Sequence, residues 1–393
     1  MIVLSHPTVN AFNRVLAEGL QASSRLEAFH TTLAWGRRRV AIPSGKLRLH
    51  PGREVLRLAA TRLGLTSLTR HERGFACVDA VYRTLDLAVS GTLANAAGAS
   101  AVYAYEDGAL ATFRAARGLG LRCFYELPIA YFETAQRLMR EEAERLPGWT
   151  ATLDATFDSE EKLARKAEEA ALADLIICPS RFVQSTLPSG VRSIVAEFGS
   201  PPPSAVSKAR NEVGPLRVLF AGAMTQRKGL ADIFAAMRML QRKDVELVVM
   251  GAPVVPLEFY RREWPRFIHE SPRPREHVLA LMETCDALVL PSIVEGRALV
   301  QQEALSRGLP LIVTANAGGE DLIEAGATGW LVPIRDPAAI AERITWLADN
   351  RAALSEMRAA CRRKAASLTW AEYARKILAA IAGCEMAAGK FWR

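Results

Sequence analysis

The stretch Leu216-Arg217-Val218-Leu219-Phe220-Ala221-Gly222-Ala223-Met224-Thr225-Gln226-Arg227-Lys228-Gly229-Leu230 decides the architecture. It opens as a short apolar strand, breaks at a glycine, presents two adjacent cations and runs into residues 233–240, whose apolar side chains recur at helical spacing. Gly222 lets backbone approach a ligand, and the start of the following helix offers free N–H groups. With Arg227 or Lys228 adding positive charge, the turn suits a diphosphate. It is neither a P-loop nor a dinucleotide fingerprint, because G-x-x-x-x-G-K-[ST] and G-x-G-x-x-G are both missing.

Downstream, the same alternation continues. Apolar runs at 245–251, 287–291, 311–314 and 330–333 are separated by helical patterns at 277–284 and 299–306. Continuous apolar strands between helices predict a parallel sheet covered on both faces, a doubly wound α/β domain that binds ligands beyond the carboxyl ends of its strands. Upstream, strands are predicted at 1–5, 101–105, 121–125 and 174–179, and helices at 10–21, 53–63 and about 160–173. In the last of these, Glu160, Lys162, Arg165 and Lys166 read as a solvated face. Glu133, Glu141, Glu142 and Glu144 with Arg137, Arg140 and Arg145 read in the same way. Pro201-Pro202-Pro203 cannot continue a helix or a central strand, so 201–215 is predicted as a linker. It divides the chain into Rossmann-like domains at 1–200 and 216–367, with the cleft between them as the default binding site.

The composition agrees. Of 393 residues, 50% are hydrophobic and 23% charged, which excludes a disordered or low-complexity chain. The apolar windows are much shorter than the roughly 20 residues needed to cross a bilayer, and Met1-Ile2-Val3-Leu4 runs at once into Ser5-His6-Pro7, so no export signal is expected. Six scattered cysteines without C-x-x-C indicate neither zinc nor a disulfide framework, and a cytoplasmic location follows as the simplest expectation. The net charge is +8, and nearly all the excess lies in residues 1–90, with thirteen basic side chains against six acids. That concentration fits an anionic partner, such as the cytoplasmic face of a membrane contacted peripherally. No aromatic interleaving or recognition signature points to nucleic acid.

A second candidate is Leu290-Pro291-Ser292-Ile293-Val294-Glu295-Gly296-Arg297-Ala298-Leu299-Val300-Gln301-Gln302-Glu303-Ala304. Glu295 falls in the loop after a strand and Glu303 about two turns further on, in the next helix, where a carboxylate can accept hydrogen bonds from ribose or sugar hydroxyls.

Taken together, these elements resemble the retaining glycosyltransferases of family 4, which have the two-domain GT-B fold. The resemblance rests on Lys228-Gly229, Glu295-Gly296 with Glu303 eight residues later, Gly308-Leu309-Pro310, Gly318-Gly319 and Gly329-Trp330-Leu331-Val332-Pro333. It is strong over about 216–350. It is weaker over the first half, at Ser5-His6-Pro7, Tyr105-Glu106-Asp107-Gly108, Glu126-Leu127-Pro128 and Cys178-Pro179-Ser180-Arg181-Phe182. The resemblance implies that Lys228 binds the diphosphate of a UDP- or GDP-linked sugar and Glu303 its ribose. Glu295 would contact the transferred sugar, and backbone N–H groups of Gly296, Arg297, Ala298 and Leu299 would face the phosphates beside Gly222. Ala223 stands where many members have Arg, so Arg227 or Arg297 is expected to supply the second cation. The glycine-rich loop common after the first N-terminal strand is replaced by Thr8-Val9-Asn10, and Arg297-Ala298 replaces the common aromatic-glycine pair.

The implied reaction transfers a hexose to a hydroxyl acceptor, a glycan or lipid-linked saccharide, with retention by front-face attack. No D-x-D motif is present, so no metal and no cofactor are expected, the leaving group being stabilised by cations and helix dipoles. Glu106, Asp107 and His6, each just after a predicted N-terminal strand, are the acceptor-side candidates, and Glu295, Glu106 and His6 form the catalytic set. The tail 368–388 carries Trp370, Tyr373, Ile377 and Ile381 at helical spacing, and in GT-B enzymes such a helix crosses back to the N-terminal domain. Two rival readings are a nucleotide-sugar epimerase, which needs a base suited to elimination at the sugar ring, and a catalytically silent scaffold binding an anionic partner. Lys228, Glu295 and Glu303 standing together weigh against the scaffold.

Overall fold

The computed structural model describes residues 1–153, 157–205 and 214–389. Residues 206–213 of the expected linker and residues 390–393 of the expected terminal segment, 368–393, lie outside the described residues. The first sheet comprises β1 (Ile2–Ser5), β2 (Leu26–Thr31), β3 (Leu47–Leu49), β4 (Ala101–Tyr105), β5 (Arg122–Glu126), β6 (Leu175–Cys178) and β7 (Ser193–Val195), in the order β3-β2-β1-β4-β5-β6-β7. The second comprises β8 (Leu216–Ala221), β9 (Val245–Met250), β10 (Phe267–Glu270), β11 (Ala287–Leu290), β12 (Leu311–Val313) and β13 (Gly329–Leu331), in the order β10-β9-β8-β11-β12-β13. All pairings between these strands are parallel.

Both sheets reverse direction beside their first strand, so each has a topological switch point: between β1 and β4 in the first, and between β8 and β11 in the second. Ligands of doubly wound sheets bind outside the carboxyl ends of the strands at such a point. The apolar strands are buried from end to end, as in β1, β6 and β11, because helices cover both faces.

Two segments cross between the halves. The helix Phe132–Arg145 leaves the first domain, and Trp149 beyond it enters the core of the second, with its ring 5.0 Å from Phe259 and 5.8 Å from Tyr260. In the opposite direction, the helix Trp370–Gly389 packs on the helix Ala11–Ala22 and buries Tyr373, Ile377, Ile381 and Cys384 among Phe12, Leu16 and Leu20. Burying each large apolar side chain contributes roughly 1.5–3 kcal/mol, which explains why the tail crosses.

Two surfaces read as solvated are instead buried. Lys162 and Lys166 are 7% and 8% exposed, because the helix Glu160–Leu172 turns them toward acids on neighbouring loops. Glu142 has no exposure and is enclosed by cations. Helical charge spacing is the same for an ion-paired outer face and for a buried ionic seam, so the pattern alone cannot separate them.

Under the crossing helix lies Glu126, 3% exposed, accepting a long hydrogen bond from the Tyr373 hydroxyl (3.4 Å). Burial pushes its carboxyl up to about 8, partly offset by the Tyr103 and Tyr373 hydroxyls. The unfolded chain releases this proton near the ordinary carboxylate value, so across about pH 5 to 8 the folded state holds more protons and stability falls as pH rises. Glu126→Gln removes that dependence. Its unfolding free energy relative to the parent should therefore grow between about pH 5.5 and 8.5, by on the order of a few kcal/mol. Urea unfolding at both pH values measures this, and a pH-independent difference would contradict the assignment of a buried neutral acid.

Candidate active site

At the second switch point, β8 ends in Gly222 and a single 3₁₀ turn, Gln226–Lys228, precedes the helix Leu230–Leu240. A side chain at Gly222 would meet the Lys228 stem, since a Cβ there would lie 2.8 Å from Lys228 Cδ, and its φ of +153° also favours glycine. Lys228 thus lies across the glycine and reaches the loop after β11, where Nζ donates to Glu295 Oε2 at 2.5 Å. Arg227 Nη1 donates to the same oxygen at 3.2 Å and to the Val294 carbonyl at 3.0 Å. Burial alone would raise the Glu295 carboxyl, but the charges of Arg227 and Lys228 outweigh it and hold it below its ordinary range.

The turn is braced from beneath by Gln226. Its amide donates to Glu142 (2.6 Å) and Asp232 (2.9 Å), its carbonyl accepts the Ala231 N–H (2.8 Å), and its backbone N–H donates to Thr152 Oγ1 (3.0 Å). Glu142 and Thr152 belong to the crossing segment of the first domain, so one side chain ties the cationic turn to both halves. Sequence reading missed it, since a buried glutamine beside two cations carries no signal of its own.

Facing this turn is a cavity of about 480 Å³ whose lining includes Glu106, Asp107, Lys162, Lys166, Arg227 and Glu295. It brings together four of the residues singled out in the sequence, Glu106, Asp107, Arg227 and Glu295. Glu106 follows β4 at the first switch point and is 5% exposed. Burial raises its carboxyl to about 7, against the opposing charge of Lys166 at 3.7 Å. The loop that carries it is fixed by Glu169, which accepts N–H groups from Asp107 (2.9 Å), Ala109 (3.1 Å) and Leu110 (3.1 Å) and the Tyr125 hydroxyl (2.9 Å). Asp107 itself takes a left-handed φ of +67°, a costly conformation for a non-glycine residue that these contacts sustain. Lys162 and Lys166 were missed as site residues because their spacing was taken for a solvated face.

The remaining predicted residues are placed elsewhere. His6 is buried against Phe12 and Tyr105, with ring centroids at 5.3 and 4.3 Å. Its Nδ1 accepts the Thr8 N–H at 3.1 Å, its Nε2 has no partner, and burial lowers its pKa to about 3. Arg297 turns away from Lys228, with its buried guanidinium donating to Asp321 (2.8 Å) and the Gly318 carbonyl (3.3 Å). Glu303 pairs with Arg275 Nε at 2.6 Å, away from Glu295's two cations. Ala298 commits its N–H to the Ala317 carbonyl at 3.3 Å, and the helix Leu299–Ser306 starts directly after it. Gly296 marks where the domains touch: a Cβ there would fall 1.7 Å from the Pro128 carbonyl oxygen, and its own carbonyl accepts from Ser180 Oγ at 2.7 Å.

Among the described residues, the one group spaced to hold a metal ion is His71, Glu72 and Asp158, at the far end of the cavity. Both Lys162 and Lys166 reach Asp158 at 2.8 Å, which leaves that carboxylate poorly disposed toward a cation.

Residues 205–368 match the family model described as Glycosyl transferases group 1. That match covers the second domain. Over 148 residues the chain is 30% identical to a putative colanic acid biosynthesis glycosyltransferase WcaL of Salmonella typhimurium, covering 33% of this chain and 35% of the relative. Over 174 residues it is 30% identical to a D-inositol 3-phosphate glycosyltransferase of Corynebacterium diphtheriae, covering 40% of each. The chain therefore spans little more than a third of the length of these relatives. The whole fold is similar to sucrose-phosphate synthase from Thermosynechococcus elongatus (TM-score 0.71, 18% identity, 98% of this chain and 99% of that one). It is also similar to Anabaena HepE in complex with UDP-glucose (TM-score 0.61, 13% identity, 97% and 99%). The two domains thus form a GT-B fold, with the cationic turn and Glu295 inside the matched region.

Gly296→Ala tests the backbone contact between the domains. The added methyl cannot coexist with the Pro128 carbonyl, so the variant should unfold at a lower temperature or adopt a wider cleft. Calorimetry with small-angle scattering reads both, and a variant unchanged in both would refute the contact.

Proposed function

We propose that the protein is a retaining, metal-independent glycosyltransferase that moves a hexose from a nucleoside diphosphate sugar to a saccharide hydroxyl. The observation that carries this reading is the convergence of Arg227 and Lys228 on one carboxylate, Glu295, across a cavity from Glu106. As the bond from the anomeric carbon to the diphosphate oxygen breaks, negative charge grows on the leaving group. Arg227 and Lys228 are already oriented to stabilise it, and preorganised charge acts more strongly there than on the ground state. The acceptor oxygen forms the new bond to the same carbon from the same face and passes its proton to the departing diphosphate oxygen. The protein supplies position and field rather than a covalent intermediate. Glu295 contacts the transferred sugar, and Glu303, paired with Arg275, binds the ribose of the donor. Glu106 serves the acceptor side, whereas His6, buried outside the cavity lining, packs behind it. HepE, solved with UDP-glucose, supports a UDP-linked donor.

Lys228→Ala and Glu303→Ala should each reduce transfer at least about a hundredfold with little change in unfolding temperature. Radiolabelled sugar transfer from UDP- and GDP-linked donors, run with and without EDTA, measures both effects. Full turnover in both variants removes the site assignment, and EDTA inhibition reversed by Mg²⁺ removes metal independence.

Peripheral membrane contact belongs to the same proposal. The surface between 48 and 87 exposes Leu63, Phe75 and Leu87, each more than 60% accessible, among the exposed arginines Arg62, Arg70, Arg73 and Arg83. Apolar side chains rimmed by cations match an anionic lipid face. No helix among the described residues is long and apolar enough to cross a membrane, so any attachment through this surface would be lateral. Co-sedimentation with phosphatidylglycerol vesicles, strong at low salt and lost at high salt, is the expected result, and equal recovery with neutral vesicles would contradict it.

A further inference from the structure

The basic excess of the N-terminal half does not reach the wall of the cavity. Lys162 Nζ lies 2.9 Å from Asp79, 2.8 Å from Asp158 and 3.6 Å from Asp107. Lys166 Nζ lies 2.8 Å from Asp158 and 3.7 Å from both Glu106 and Asp107. Arg165 lies 3.2 Å from Asp107 and 3.6 Å from Asp79. Each lysine faces three carboxylates, two of them at hydrogen-bond distance from Lys162 and one from Lys166, and the longer separations add charge pairing without a hydrogen bond. Four acids surround three cations, so the charge on this wall is balanced or slightly negative. Tyr82, Ile129, Phe132 and Met139 also line the cavity and provide apolar and aromatic surface.

We infer that the acceptor end held beside Glu106 is an uncharged, hydroxyl-rich saccharide unit and not a phosphorylated one. This rests on the glycosyltransferase reading and names the acceptor class for the same site. Sugar hydroxyls donate to Glu106, Asp107 and Asp158 without displacing a lysine, and the apolar lining meets the C–H faces of the ring. A phosphate would enter among carboxylates and find each lysine engaged, which is the unfavourable burial of a poorly paired charge. The other cations near this site are set apart from that wall: Arg227 lines the cavity on the donor side and, like Lys228, is paired with Glu295, while Arg70 and Arg73 line a neighbouring cavity that shares His71 and Asp158. An anionic carrier attached to the acceptor would therefore lie outside the cavity, with its neutral sugar inside. This differs from the acceptor type named in D-inositol 3-phosphate glycosyltransferase.

The test uses the full chain saturated with UDP or GDP and matched probes: methyl α-glucoside against glucose 6-phosphate, and myo-inositol against its 3-phosphate. Saturation-transfer NMR competition should show the neutral member of each pair binding more tightly by roughly tenfold or more, the penalty expected for placing like charges together. Asp158→Asn withdraws one carboxylate from both lysines and should shrink or invert that preference, with Asp107→Asn as the second variant should the first fold poorly. Tighter binding of the phosphorylated members, binding of neither member, or an unchanged preference in a folded variant would each overturn the inference. The donor reading is checked separately by the nucleotide-dependent rise in unfolding temperature, which does not depend on the acceptor.

Discussion

The two halves of this molecule are held in register around Glu142, a carboxylate with no solvent exposure. Arg145 approaches it at 2.5 Å, Arg335 at 2.8 Å and Gln226 at 2.6 Å, and Arg145 also spans both oxygens of Asp232 at 2.9 Å. Glu142 and Arg145 belong to the crossing helix, while Gln226, Asp232 and Arg335 belong to the second domain. Removing one partner from a buried ionic group is the expensive case, about 3–5 kcal/mol, because the remaining charge stays desolvated. Domain motions of low cost are those that leave this cluster whole, and Trp149 in the neighbouring core adds an apolar anchor beside it.

That constraint reaches the chemistry through Gln226. The same side chain that satisfies Glu142 sets the start of the helix Leu230–Leu240, and the turn it braces aims Arg227 and Lys228 at Glu295. Without an anionic ligand, these two cations would sit close together and repel one another. Glu295 neutralises part of that charge and fixes both side chains.

Much of the fold was legible because buried parallel strands write themselves as unbroken apolar runs: β1, β4, β5, β6, β8, β9, β11, β12 and β13 all fall at or within a residue or two of their predicted positions. The edge strands β3, β7 and β10 escaped. They are three or four residues long and partly exposed, so they lack such a run. β2 escaped for a different reason, its Glu27 and His30 interrupting the pattern. The placing of Lys228 and Glu295 in turns after strands was legible from the apolar runs that precede them. The ionic seam was not. Asp158, Lys162 and Lys166 recur at spacings of four, which a solvated helix face produces equally well, and Glu142 was misjudged for the same reason. What distinguishes a buried ionic seam is the element packed against it, and that lies up to some 190 residues away in the chain, as with Arg335 and Glu142.

The distribution of charge follows from the same point. A net +8 confined to one half of the sequence suggests a basic cleft, yet folding turns Lys162, Arg165 and Lys166 inward against carboxylates and leaves Arg62, Arg70, Arg73 and Arg83 facing outward. Sequence charge counts the two groups alike. In the folded protein they do opposite things, since the inward cations are spent on holding Glu106 and Asp107 in place, and the outward ones remain available to an anionic surface. The two groups of cations thus act on different faces of the molecule, one inside an ionic seam and one on the surface.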